Sequence, residues 1–399
     1  MNRIFAILGY VVIISQIFSI RIPLLSNVVA GYSIKFILFY FFIIFSIFRW
    51  ILSIFKEKRI KKIDTLLIVF LIFPYLIGGI RGWGIRNVFE ESVLFIMPVA
   101  IYAWCQTENL NKKTYVNVFL GTVIVGAIIS VLVALRIVET DIWAADGQLV
   151  RAAGAVDSTL FLGGIIISYI MLFVFNNNQQ YRVNRLLCFV AFVSSIVGLL
   201  FTQSRSRIAI AAVIIFGFVL FNLFNKKSNY GNLRFLGVVI LCLIAVVLYV
   251  PDIFEQIISQ VLGRFSTFSD GNIIYRENES SAQINAFLTA PLMGLGWGSR
   301  SQFYNMYVHN MYTALLMQGG LIFSLCFFVW LLSFAKRNLV QIIKEGFNCE
   351  NIICLSLFMV LFVLGFTNAG IVLSGGYFML LYIFICDKDN STLKIKRRN

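Results

Sequence analysis

The chain of 399 residues is 60% hydrophobic and only 13% charged, with a mean hydropathy of +0.88. A soluble domain carries about a quarter charged residues, so these values exclude a water-soluble enzyme and describe an all-α polytopic membrane protein. The formal net charge of +15 is not the mark of a nucleic-acid partner, because its distribution follows the topology of the spans.

About twelve transmembrane helices are predicted in chain order: Ile4–Ile20, Ile34–Phe55, Thr65–Gly79, Val88–Trp104, Tyr115–Val138, Thr159–Phe175, Leu186–Phe201, Ile208–Phe224, Leu233–Val250, His309–Phe334, Asn351–Phe366 and Gly370–Cys386. Several fall short of the roughly 20 residues that cross a 30 Å core comfortably. The first is expected to be retained rather than cleaved, since no small-residue cleavage site follows it. Residues 1–250 thus form a membrane bundle of spans 1–9, residues 251–308 one large outer loop, residues 309–386 spans 10–12, and residues 387–399 a basic cytoplasmic tail.

With both termini in the cytoplasm, the inner loops collect the basic runs: Lys56 to Lys62, Lys112 and Lys113, Arg182 and Arg185, Lys226 and Lys227, Lys336 and Arg337, and the tail Lys394 to Arg398. The inner side then carries the whole +15, and the outer side is neutral. Apart from Lys35, every outer basic residue is arginine: Arg21, Arg81, Arg86, Arg136, Arg151, Arg205, Arg207, Arg264, Arg276 and Arg300. Arginine grips phosphate oxygens with a planar fork, whereas lysine is a solvated point charge. The plainer account is that positive-inside bias removes outer lysines and arginine snorkels. None of the seven cysteines falls in an outer loop, so no disulfide is expected.

Two outer segments are long, Glu139–Ser158 and Pro251–Val308. In the second, Ile253, Phe254, Ile257, Ile258, Val261, Leu262 and Phe265 keep helical spacing and predict an amphipathic helix on the membrane face. A further helix is predicted from about Ser280 to Thr289, capped by Asn278 or Ser280 and stopped by Pro291. Gly294-Leu295-Gly296-Trp297-Gly298 follows no strand, so it reads as tight turning toward His309 rather than as a dinucleotide fingerprint.

His309 is the chain's single histidine, placed where an apolar run meets an aqueous loop. Imidazole exchanges protons near neutral pH, so His309 is the candidate base. Three outer elements are expected to meet there: the turn Thr202-Gln203-Ser204-Arg205-Ser206-Arg207, Arg276 in Tyr275-Arg276-Glu277-Asn278-Glu279, and His309-Asn310-Met311-Tyr312. An anionic head would find several guanidinium forks, each charge-assisted hydrogen bond contributing about 1.5–3 kcal/mol. Plainer readings are that His309 bonds a loop carbonyl, that Arg205 and Arg207 anchor span ends, and that Arg276 pairs with its acidic neighbours. Glu277 and Glu279 are rival bases. Glu139 and Asp141 are candidate metal ligands, but two carboxylates on a polar loop are more often solvated, and neither a metal nor a cofactor is expected.

These motifs resemble the bacterial O-antigen polymerase and O-antigen ligase superfamily. Thr202-Gln203-Ser204-Arg205-Ser206 is similar to its T-x-S-R-S turn. Arg276, a helix, and Pro291-Leu292-Met293-Gly294-Leu295-Gly296-Trp297-Gly298 are similar to its arginine–helix–P-L-x-G-x-G element, although Ser280-Ser281 stand near where an aromatic often sits. His309-Asn310-Met311-Tyr312, with Gly319-Gly320 beyond, resembles its histidine span start. The resemblance implies a metal-independent GT-C-type glycosyltransferase of the bacterial plasma membrane, acting on undecaprenyl-pyrophosphate-linked oligosaccharide. Arg205 and Arg276, joined by Arg207 and Arg81, would hold the pyrophosphate. His309 would deprotonate the acceptor hydroxyl for inverting attack, with Ser204, Asn310, Tyr312 and Glu277 in support. A Wzy-type polymerase of O-antigen or capsule is favoured, the chain being rich in phenylalanine. The alternatives are a ligase acting on lipid A-core and, in another class, a flippase of lipid-linked oligosaccharide. A chain-length regulator and a flippase are the expected protein partners.

Overall fold

Long apolar runs fold as helices because a backbone in lipid has to satisfy its own N–H and C=O groups, and a helix does so within one segment. The computed structural model describes residues 2–18, 28–29, 32–57, 62–138, 152, 155–174, 183–224, 255, 259, 271–300, 309–346, 348–367 and 374–396. Among them are the helices α1 (Asn2–Ile17), α2 (Ile34–Glu57), α3 (Lys62–Ile80), α4 (Ile85–Thr107), α5 (Lys112–Ala134) and α6 (Thr159–Tyr169), the last running into a π turn at Ile170–Val174. The chain continues with α7 (Arg185–Thr202), α8 (Arg205–Phe224), α9 (Gly271–Leu288), α10 (Met311–Glu345), α11 (Cys349–Thr367) and α12 (Ser374–Lys396). A two-residue antiparallel pair, β1 (Val28–Val29) with β2 (Tyr32–Ser33), precedes α2.

Six of the described helices, α2, α4, α5, α7, α10 and α11, are long and apolar enough to cross a membrane, and α1, α3 and α6 contain shorter apolar helices. The protein is therefore a multi-pass, helical membrane protein. The ninth predicted span, Leu233–Val250, lies outside the described residues, as does the amphipathic stripe from Ile253 to Phe265. Several boundaries differ from expectation, and the tenth span, predicted to end at Phe334, continues to Glu345. The helix predicted from Ser280 begins instead at Gly271, so the expected caps Asn278 and Ser280 sit inside it; Arg276, Glu277 and Glu279 are adequate helix formers, and a cap has no role where the helix continues. The last helix runs past Cys386 to Lys396, taking in part of the basic tail.

At the centre, the stretches Phe95 to Cys105 of α4 and Tyr377 to Cys386 of α12 are apolar on all faces and shielded throughout, as an all-round hydrophobic segment requires. Tyr102 meets Trp330, Phe334 and Phe384 at centroid distances of 5.9, 5.8 and 5.5 Å, locking α4, α10 and α12 together. Around this centre, α5 packs on α7, α2 on α4, α6 on α7, and α10 on α3, α9 and α11. Large side chains on the rim, such as Ile44, Phe48 and Phe55 of α2, stay exposed.

The two ends of the bundle differ. At one end, ion pairs join separate helices: Arg49 with Glu108, Lys112 with Glu350 (2.6 Å), and Arg337 with Asp387. There Lys388 Nζ also donates to the carbonyls of Cys105, Gln106 and Glu108 at 3.0, 3.1 and 2.8 Å. The opposite end carries the turns that hold His309, Arg205 and Asp157.

One helix is broken by design of its sequence. Gly320 in α10 has φ 65° and ψ −173°, which interrupts the hydrogen-bond ladder at a buried position. The segment Pro291–Trp297 fills the gap. Leu295 N and Gly296 N donate to the carbonyls of Met317 and Gln318 (both 2.8 Å), while Leu321 N and Ile322 N donate to those of Pro291 and Leu292 (2.9 and 3.1 Å). Non-helical backbone at membrane depth is tolerated when protein satisfies it in this way.

Candidate functional site

The turn Thr202–Arg207 is built as its sequence suggests. Helix α7 ends at Thr202, Gln203 takes the left-handed conformation (φ 49°), and α8 restarts at Arg205. Arg207 is buried, its Nε 3.3 Å from Thr159 Oγ1 and its NH1 3.0 Å from Ser204 Oγ. The negative charge it faces is Asp157, with the positive charge of Arg276 acting against it. Asp157 is a junction in its own right: its Oδ1 accepts from Thr159 N (2.9 Å), its Oδ2 from Gly375 N (2.7 Å), and its own N–H reaches the carbonyl of Ile17 at 3.2 Å. Thus α1, α6 and α12 converge on the half-buried Asp157, whose negative charge acts on the buried Arg207 of α8. Arg205, two residues away, is half-buried at the first position of α8.

Helix α9 supplies the second side. Positions 276, 279, 283 and 286 form one stripe at spacings of three and four. Arg276 is exposed at the top of the stripe, whereas Glu279, Gln283 and Ala286 are buried. Ala286 and Ala290 pack with Leu295 and Met317, holding the helix on α10. Glu277 points off this stripe and is exposed.

His309 lies just before α10, half-buried. The helix cap is its neighbour: Asn310 Oδ1 accepts from Tyr312 N and Thr313 N at 3.0 and 3.3 Å. His309 N–H reaches Glu279 Oε1 at 3.5 Å, and its Nε2 stands 3.9 Å from Glu279 Oε2. Burial, and then the Arg276 guanidinium, hold the imidazole pKa below its ordinary 6.5. Burial pushes the Glu279 carboxyl above its usual range, against the pull of the His309 amide, Arg300, Arg276 and Gln283. The result is a neutral imidazole beside the Arg276 guanidinium, suited to accept a proton close to an anion.

Three motifs separated by a hundred residues are therefore brought to one end of the bundle, with the charge of Arg276 acting on Arg207, Glu279 and His309, and that of Arg300 on Glu279. Other expected residues are placed differently. Ser204 is engaged with Arg207. Tyr312, expected in support, instead ties α10 to α11: its hydroxyl donates to the carbonyl of Phe362 at 2.6 Å and its ring packs on Phe328, Phe362 and Phe366. Arg81 is exposed in the turn after α3 and is not among the charges acting on His309 or Glu279. Glu139 and Asp141 lie outside the described residues; among those described, no group of three or more His, Cys, Asp or Glu is placed to hold a metal ion.

Sequence reading overlooked Glu91. Buried near the start of α4, its Oε2 accepts from Gly298 N and Arg300 N (both 3.0 Å) and from Gln318 Nε2 (2.7 Å). It thereby pins the glycine loop to the break in α10. The available signal was the carboxylate pair Glu90-Glu91 near the start of a largely apolar span, a placement that usually marks a specific partner.

No curated protein matches the chain. Residues 190–328, which run from α7 through the glycine loop into α10 and contain all three motifs, match the model of the family described as O-Antigen ligase, so this segment is similar to that family.

Proposed function

We propose that the protein is a polysaccharide polymerase of the bacterial plasma membrane. In this reading it joins undecaprenyl-pyrophosphate-linked repeat units on the outer face by inverting glycosyl transfer. The observation that carries the reading is the neutral His309 set between Glu279 and the Arg276 guanidinium, at the end of the bundle away from the basic loops. His309 takes the proton of the acceptor sugar hydroxyl as that oxygen attacks the anomeric carbon. A placed base of this kind contributes roughly 10²–10⁴ in rate. Arg205 and Arg276 hold the departing pyrophosphate, and the charge that builds on it meets fixed guanidinium groups. Arg207 supports the same turn from beneath, through Ser204 and Thr159.

The composition favours a polymerase, while the description of the matching family names a ligase, so one phenotype has to separate them. Deleting the gene and complementing it with the wild type or with His309→Ala is the test. A polymerase mutant leaves a single repeat unit on the acceptor, or no long capsule chains. Bare lipid A-core with long chains accumulating on the lipid carrier identifies a ligase. Full-length polymer with His309→Ala refutes the base assignment in either enzyme.

A further inference from the structure

We propose that Glu279 is a positioning residue: its carboxylate turns the imidazole of His309 so that Nε2–H faces it and Nδ1 is presented to the acceptor hydroxyl. The inference rests on the glycosyl-transfer reading above. Its basis is a buried carboxylate whose two oxygens have different surroundings. Oε1 is held by Gln283 Nε2 at 3.0 Å and by the His309 amide at 3.5 Å. Gln283 is itself fixed, because Thr313 Oγ1 donates to its Oε1. The carboxylate is thus locked both to the first turn of α10 and to the backbone of the residue it serves.

Oε2 is buried and meets no hydrogen-bond donor among the described residues, yet it stands 3.9 Å from His309 Nε2. A buried carboxylate oxygen without a donor is costly, and a short approach of the imidazole satisfies it. Arg276 works in the opposite sense by disfavouring imidazolium, so the base rests neutral and the carboxylate matters most once the proton has arrived. In the step itself, the acceptor oxygen bonds to the anomeric carbon and the bond from that carbon to the pyrophosphate oxygen breaks. The electron pair leaves with the pyrophosphate, and the hydroxyl proton passes to Nδ1. The charges facing the pair are Arg276 and Arg300; Glu277, off the stripe and exposed, is not equivalent.

Because His309 is the only histidine, protein labelled with ¹⁵N at the imidazole and reconstituted in nanodiscs gives the spectrum of this one side chain. The expected result is the Nε2–H tautomer in the wild type, with the imidazole pKa falling by about one unit in Glu279→Gln, a tenfold change in proton affinity. Turnover of undecaprenyl-pyrophosphate-linked repeat units extracted from host membranes is expected to fall about 10- to 100-fold in kcat, with KM little changed and the acid limb of the profile moved down. Glu279→Asp keeps the charge and withdraws it by one methylene, so it carries the same test with a smaller shift should the glutamine variant not fold. An unchanged tautomer and pKa, or full turnover without the carboxylate, overturns the proposal. If the spectra show the coupling while the wild-type protein transfers no glycan, the pairing stands and the functional reading falls.

Discussion

Removing the Glu91 carboxylate should open the glycine loop without unfolding the bundle. Glu91→Ala leaves two backbone N–H groups, of Gly298 and Arg300, and the Gln318 amide without the oxygen that all three share. Hydrogen bonds to a charged group contribute about 1.5–3 kcal/mol each. They are not additive at one oxygen, and deleting one partner of a buried charged network costs about 3–5 kcal/mol. At 1.36 kcal/mol per decade, the open state of the loop becomes roughly 10²–10⁴-fold more populated. Hydrogen exchange read by mass spectrometry on nanodisc protein measures this directly. Peptides spanning Pro291 to Arg300 should exchange faster by that factor, while those of α5 and α7 should not change. Glu91→Gln, which keeps one carbonyl acceptor, should fall between. Unaltered exchange in the loop would refute the pinning role, and a uniform rise across all helices would show that Glu91 supports the whole bundle instead.

Arg276→Lys and Arg205→Lys are each expected to lose most glycan transfer at unchanged membrane yield, because lysine keeps the charge and loses the fork; full activity in both would mean that bulk charge suffices. Arg207→Met should act on folding, since it removes the buried positive charge that faces the half-buried Asp157 where four helices meet; a drop in unfolding temperature and yield is the readout, and wild-type stability would contradict it. Gly320→Ala should abolish activity, because the backbone has φ 65° and an added methyl would run into Gly294 N and Leu292 O; an active, normally exchanging variant would refute the docking of loop on helix. Activity should decline on acidification only below about pH 6.5, because burial and Arg276 hold His309 neutral above its depressed pKa. Stability follows the same sign: the unfolded chain binds the proton more readily, so His309 destabilises the fold as pH falls through 6.5 toward the folded pKa, and an acid limb above pH 7 would exclude His309 as the base.

The sequence was most informative where local chemistry decides the structure. Apolar runs located most helices, the turn at Gln203 fell where two spans come too close for a longer link, and His309 and Asn310 sit at a helix start, although the cap is the asparagine. Less was legible where distant residues make the structure. Nothing local distinguishes Glu279, which is buried, from Glu277, which is exposed; the difference depends on which stripe of α9 faces α10. Likewise Tyr312 looked like part of a site motif, but its hydroxyl belongs to a carbonyl on α11. The value of Glu91 depends on donors more than two hundred positions away. The start of α9 was misplaced because polar residues that can cap a helix can equally continue one.

The paired glycines also set an order of assembly. Gly296 lies against Gly78 of α3, and Gly294 against Gly320 of α10; a side chain on Gly296, Gly294 or Gly320 would run into the partner glycine, and one on Gly78 into the carbonyl of Trp297. A chain that folds from its N-terminus as it is made has α3 in place long before the loop emerges, but the other half of the berth does not exist until α10 has been inserted. The loop, the stripe carrying Arg276 and Glu279, and the histidine therefore come together only after the ribosome has passed residue 320, so a truncated or stalled chain inserts most of its helices without ever assembling the candidate site.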